Sequence, residues 1–225
     1  MHIAEGFLPP VQAAAWFAVA TPFVVHGARA VIAETRRTPE NTLLLAVAGA
    51  FTFVLSALKL PSLTGSSSHP TGTGVGTVLF GPPVMAFLGT VVLVFQALLL
   101  AHGGLTTLGA NVVALAVAGP WAGYGAWRLA RAVRLPRPVG LFAAMAIADL
   151  TTYVVSAAQL ALAHPDLGSG FGGSFAKFLG IFAFTQVPLA VAEGILGVLL
   201  FGFLDRAARP HLVRLGLATE EPAHA

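Results

Sequence analysis

The sequence predicts an all-α integral membrane protein, a seven-transmembrane-helix bundle made of six strong spans and one short, irregular crossing. Three observations predict it. First, 56% of the 225 residues are hydrophobic and only 9% are charged, where a soluble domain carries about 25% charged residues. Second, the charges are segregated. None occurs from Gly6 to Ala28, from Asn41 to Leu58, or across the 68 residues from Leu60 to Trp127, and a membrane-spanning helix needs about 20 apolar residues. Third, the arginines gather between the apolar runs, as cytoplasmic loops require. A β-barrel would show short segments of alternating polarity instead.

The strong spans are 12–30, 42–59, 84–101, 107–129, 139–163 and 176–204. The leader before the first contains Glu5 and no Lys or Arg, unlike the basic start of a signal peptide, and no small-residue cleavage site follows. Met1 is therefore expected to be the mature terminus. Arg29, Arg36 and Arg37 follow the first span, Arg128, Arg131, Arg134 and Arg137 the fourth, and Arg206, Arg209 and Arg214 the last. Connectors on one side require an even number of crossings between them, yet only three of the strong spans separate the first two. The missing crossing is assigned to 68–83, "SHPTGTGVGTVLFGPP", which is short, Gly-rich and uncharged. Irregular backbone is tolerated at membrane depth where protein shields it.

The resulting topology has the N-terminus outside and the C-terminus in the cytoplasm. It brings Met1, His2, the 60–70 loop, "AHGGLTTLGAN" and the 164–174 loop to the outer face. Residues 1–204 read as one transmembrane domain, with 1–10 a metal-binding N-terminal segment and 60–83 a metal-site loop plus short crossing; 205–225 read as a poorly ordered polar cytoplasmic tail. There is no cysteine, hence no disulfide or thiolate metal site, and a net charge of +3 supports no nucleic-acid reading.

Two stretches read as neither helix nor strand, "MHIAEGFLPP" and "GSSSHPTGTG", and each carries a histidine, His2 and His69. A free α-amine, the His2 backbone nitrogen and the His2 imidazole Nδ1 can close fused five- and six-membered chelate rings on one ion. The backbone nitrogen must lose its proton, which needs a strongly polarising metal. Tetragonal nitrogen donation suits Cu(II) or Ni(II), and Co(II) can be forced into such a plane. His69 is the best source of a fourth nitrogen, because its Gly and Ser neighbours let the backbone approach closely. The bulk of His2 protects the initiator Met from removal, although deformylation is still required. Taken alone, a histidine at position 2 and one in a loop are ordinarily solvated. The shared outer face and the rigid Gly-Phe-Leu-Pro-Pro run single them out.

"MHIAEGFLPP", "LKLPSLTGSSSHPTGTGVGTVLFGPP", "AHGGLTTLGAN" and "KFLGIFAFTQVPLAVAEG" closely resemble the CbiM/NikM family, over about residues 1–204. These are the substrate-binding S components of energy-coupling-factor (ECF) cobalt and nickel transporters. The resemblance implies a seven-helix bundle with the N-terminus inserted into it, and metal ligation by Met1, His2 and His69. It implies cobalt(II) or nickel(II) as bound substrate, and the cobalt branch is the nearer match. The implied partners are a transmembrane coupling protein, two ABC ATPase subunits and a small accessory membrane subunit.

Other polar groups have quieter readings. His102, Thr106, Thr107 and Asn111 are expected at the outer end of a helix, as capping groups or as partners that orient a ligand imidazole. Ser67 and Ser68 are candidates for the same supporting role. Asp149, Gln159, Gln186 and Glu193 lie within apolar spans and read as interhelical glue, with Asp149 expected to pair with an arginine of the 128–137 connector. His26 reads as structural, His164 as an outer-loop group without a visible partner, and His211 and His224 as solvated. Ala46 and Ala50 form a small-xxx-small pair that permits close helix contact, either inside the bundle or with a coupling partner. A hydrolase reading fails because no H-E-x-x-H pattern occurs. An autonomous permease would show paired broken helices, and only 68–83 looks broken. No Walker A motif is present, so energy must come from other subunits.

Overall fold

The computed structural model describes residues 2–61 and 66–219. Met1 and His224 lie outside the described residues. Most helix starts are written in proline, whose fixed φ and missing N–H suit a first turn. Pro10 opens α1 (Pro10–Arg37), Pro39 a short 3-10 turn leading into α2 (Thr42–Ala57), and Pro82 opens α4 (Pro82–Leu100). Pro138 sits in the first turn of α7 (Arg137–Ala163) and Pro210 in that of α9 (Arg209–Arg214). Between them lie α3 (Thr73–Phe80), α5 (Leu108–Asn111), α6 (Gly119–Ala132) and α8 (Gly170–Ala207).

Among the described residues, five helical segments are long and apolar enough to cross a membrane: Pro10–Arg37, Pro39–Ala57, Pro82–Leu100, Arg137–Ala163 and Gly170–Ala207. The expected span 107–129 is a composite rod. α5 continues through a π-helical stretch, Val112–Ala118, into α6. The widened turn leaves the Ala114 carbonyl accepting from both the Gly119 amide and the Thr152 hydroxyl, the latter at 3.3 Å. The expected short crossing contains α3. Eight residues rise only about 12 Å, well short of a hydrocarbon core of about 30 Å. Residues Thr73 to Leu79 are all buried, enclosed by α2, α4, α6 and α7.

The distribution of polarity is that of a protein in lipid. Phe184, Leu43 and Leu99 are exposed, whereas His2, His69, Asp149 and Glu193 are buried. Four sequence expectations are corrected. The fold is not purely α: residues His2–Ile3 (β1), Leu60–Pro61 (β2) and Ser66–Ser68 (β3) form a small antiparallel sheet in the order β1-β3-β2. Backbone held inside a bundle must find internal partners, and these two irregular stretches find them in each other, His2 opposite Ser67 and Ile3 opposite Ser66. Residues 205–219 are not a loose tail. α8 runs to Ala207, and α9 folds back so that Leu212 is fully buried with Leu217 and Ala218 against Leu44, Val78 and Phe201. His211 is accordingly half-buried, its Nδ1 3.5 Å from Asn41 Oδ1, rather than solvated, and His26 is exposed on α1 rather than packed.

Candidate metal centre

The N-terminal strand enters the bundle because a single side chain satisfies its backbone. Asn111, in α5, accepts from the Ile3 amide at 2.8 Å and donates to the Ile3 carbonyl at 3.1 Å, and the Thr107 hydroxyl donates to the same carbonyl at 2.8 Å. Two residues on, the Glu5 carboxylate accepts from the Thr106 hydroxyl and amide, while Gly6 donates to Thr106 Oγ1 at 3.1 Å. Those donors hold the Glu5 carboxyl below its ordinary range. The Gly103–Gly104 pair of "AHGG" makes room for this insertion. A Cβ on Gly103 would lie 3.1 Å from the His2 ring, and one on Gly104 would lie 2.5 Å from Glu5 Cα.

The second loop is held from the opposite side by a carboxylate. Glu193 of α8 accepts from the Thr71 amide at 2.5 Å, the Thr71 hydroxyl at 2.9 Å and the Gly72 amide at 2.9 Å. All three contacts are donors, which is the pattern an ionised carboxylate takes. Gly72 must be glycine. Its φ is +69°, and a Cβ there would lie 2.8 Å from Thr52 Cα. Ser68 Oγ meets Thr185 Oγ1 at 2.8 Å, and Ser67 Oγ meets His102 Nε2 at 3.1 Å.

Between the two held segments three buried imidazoles converge. His2, His69 and His102 each offer a ring nitrogen, and these nitrogens all lie within 4.8 Å of one another. His2 Nδ1 faces His69 Nε2 directly. The tautomer of His69 follows from its other nitrogen, since Nδ1–H donates to the Pro70 carbonyl at 2.8 Å and leaves the Nε2 lone pair free. His102 packs edge-on to both, its ring centre 4.3 Å from that of His2 and 4.9 Å from that of His69. Burial pushes His2 well below its ordinary value, helped by the neighbouring imidazoles, and takes His102 to about 4. Both are therefore neutral near pH 7, the form in which imidazole binds a metal.

Residues 2–212 match the family described as "Cobalt uptake substrate-specific transmembrane region", CbiM. The chain belongs to the CbiM family. It is 64% identical to the "Cobalt transport protein CbiM" of Propionibacterium freudenreichii over 217 residues, covering 96% of this chain and 92% of the relative. It is 61% identical to the protein of the same name from Streptomyces coelicolor, covering 96% and 94%. A crystal structure titled as that of a transition metal transporter superposes with a TM-score of 0.82 at 23% identity, covering 97% of this chain and all of that one, which establishes the shared fold. A CbiM-family chain with five long apolar helices is a multi-pass cell-membrane protein.

Of the predicted site residues, His2, His69 and His102 are brought together, with Asn111 and Ser67 in contact with their segments. Met1 lies outside the described residues. Thr106 acts on Glu5 and Gly6 rather than on a histidine, and Ser68 turns toward α8. Ala46 and Ala50 are exposed, flooring an apolar groove of about 560 Å³ between α2 and α4, so they make no close contact inside the bundle. Asp149 does not meet an arginine. It lies about 18 Å along α7 from Arg137, neither of its oxygens has a partner, and its charged neighbour is Glu193. Arg137 pairs with Asp205 at 3.1 Å instead. His164 has a partner after all: its Nε2 donates to the Phe7 carbonyl at 2.9 Å.

Two residues gain a role that the sequence did not reveal. Glu193 read as anonymous glue 122 residues from the loop it holds. Gln96 read as part of an apolar span, yet it is buried beside His2 with its amide nitrogen given to Phe53 O at 3.1 Å and Ser56 Oγ at 2.8 Å. Its Oε1 and the His2 Nε2 are a complementary acceptor and donor left over. Polar residues at buried positions of a lipid-facing helix were the available signal.

Proposed function

We propose that this chain captures cobalt(II) at the outer face of the cell membrane as the substrate-specific subunit of an ECF-type importer. The ion is its substrate, bound by the Met1 amine, the His2 backbone nitrogen, His2 Nδ1 and His69 Nε2. One observation carries the assignment. The two ring nitrogens that a terminal chelate and a fourth donor require, Nδ1 of His2 and Nε2 of His69, are the ones that face each other in a buried site. His102 closes the site from the side and orients Ser67. Cobalt is chosen because the matched family and the relatives are named for cobalt. Coordination chemistry alone leans toward nickel.

In this reading, residues 68–83 complete a seventh crossing, the N-terminus lies outside and the arginine-rich end faces the cytoplasm. The chain hydrolyses no ATP. A coupling protein, two ABC ATPases and a small accessory subunit supply the energy, and the exposed Ala46/Ala50 groove serves as a docking face for the coupling protein.

The test is metal titration of the purified protein with a free, unextended N-terminus, cobalt against nickel, beside a form carrying one extra residue ahead of Met1. The extension displaces the amine and should abolish tight binding while the helical content persists. Unchanged affinity would overturn the chelate. Nickel bound more tightly than cobalt, with transport of nickel alone, would reassign the substrate.

A further inference from the structure

The end of the bundle opposite the histidines carries two cavities that flank the first turn of α7. The first, of about 300 Å³, is lined by Trp127, Arg131, Arg137, Gly140 and Leu217. The second, of about 340 Å³, is wholly apolar and runs between α7 and α8, past Val139, Phe142 and Leu199. Arg137 is only partly used. Nη1 pairs with Asp205 Oδ2 at 3.1 Å, while Nε, Nη2 and Asp205 Oδ1 have no partner among the described residues. Arg131 lies over the Trp127 ring, 5.8 Å from its centre, and no acidic side chain among the described residues lies within ion-pair distance of it. Two guanidinium groups lining one cavity, with a single carboxylate paired to them, ask for a further anion, and the planar fork matches a phosphate. The adjoining apolar groove asks for hydrocarbon. Trp127 beside the arginines is the composition of a membrane–water boundary.

We propose that this end of the protein binds an acidic phospholipid, with its phosphate on Arg137 and Arg131 and an acyl chain in the groove between α7 and α8. The inference rests on the membrane reading of the bundle but is independent of the metal chelate. Charge and hydrocarbon demands meet at one helix turn, which distinguishes a lipid from free phosphate. The bound lipid would also cover the seam where Leu217, just beyond α9, and Trp127 line the same cavity.

The experiment is native mass spectrometry of the full chain in detergent, offered an equimolar mixture of dioleoylphosphatidylglycerol and dioleoylphosphatidylcholine. The anionic lipid should be retained with about tenfold preference, in line with hydrogen bonds to charged groups. Arg137→Gln should abolish the preference. Arg131→Gln, which leaves the Arg137–Asp205 pair intact, should reduce it several-fold and keeps the test valid if Arg137→Gln fails to fold. Asp205→Asn, which frees a further guanidinium edge, should preserve or raise it. Equal retention of the two lipids, or a preference unchanged in both arginine variants, would overturn the proposal. Displacement of the lipid by inorganic phosphate at equal concentration would do the same, since it would make the cavity a simple anion site.

Discussion

Two extended segments meet at the histidine cluster, and they are held by opposite chemistry. The strand bearing His2 is itself gripped by neutral groups, Asn111 and Thr107, about a hundred residues away. The one carboxylate contact of its segment, Glu5 with Thr106, lies beyond the strand at an exposed position. The loop bearing His69 is gripped by one carboxylate, Glu193, which takes three donors at once. A neutral hydrogen bond contributes about 0.5–1.5 kcal/mol and one to a charged group about 1.5–3 kcal/mol. The N-terminal strand is thus the adaptable half of the site, and the loop is the fixed half. In the proposed chelate a terminal amine and a deprotonated backbone nitrogen would close around an entering ion, whereas the fourth nitrogen would wait in place.

Breaking the fixed half at its ligand should have the largest effect. His69→Ala removes a donor nitrogen and should lower cobalt affinity by more than the roughly 100-fold that bounds supporting contacts, as read by isothermal titration. Removing the grip behind it comes next. Glu193→Ala leaves three buried donors without an acceptor, at about 1–3 kcal/mol each. Both thermal stability and affinity should fall, and Glu193→Gln, which keeps one acceptor oxygen, should recover part of each. If Asn111→Ala costs more affinity than Glu193→Ala, the contrast between a fixed and an adaptable half is wrong.

Acidity sharpens the same contrast. The folded protein holds His2 and His102 below their ordinary value, while in the unfolded chain they take up protons below about pH 6.5. The stability of the metal-free protein is therefore fully present above about pH 6.5 and is lost as pH falls toward the folded values, about 4 for His102. Melting temperature should decline between pH 7 and pH 5, and less steeply in His102→Gln. Metal binding between pH 6 and pH 8 should expel about two protons, from the amine and the backbone nitrogen, because the imidazoles are already neutral. A count near zero would exclude both of those ligands.

The smallest effect is expected at Gln96, a buried polar residue near His2. Gln96→Leu should weaken cobalt binding at the lower end of the roughly 10–100-fold range for groups that orient a ligand imidazole. It should leave the proton count unchanged, which separates it from the loss of a ligand.

Much was legible in the chain before any folding. Charge-free runs between arginine clusters marked the helices, because lipid excludes charge along a whole span and leaves a signal that is local in sequence. The chelating potential of Met1-His2 was also local, since the amine, amide and imidazole belong to adjacent residues. The partnerships were not. Glu193 with Thr71 and Gly72, Asn111 with Ile3, and the strand pairing of His2 with Ser67 join segments up to 122 residues apart. The sequence pattern of a buried carboxylate is the same whether it meets an arginine or a loop of backbone amides. Which donors lie opposite Glu193, and that Asp149 is buried away from the 128–137 arginines, was decided by how α3, α7 and α8 pack. In a medium that offers no water to unpaired groups, only tertiary packing chooses those partners.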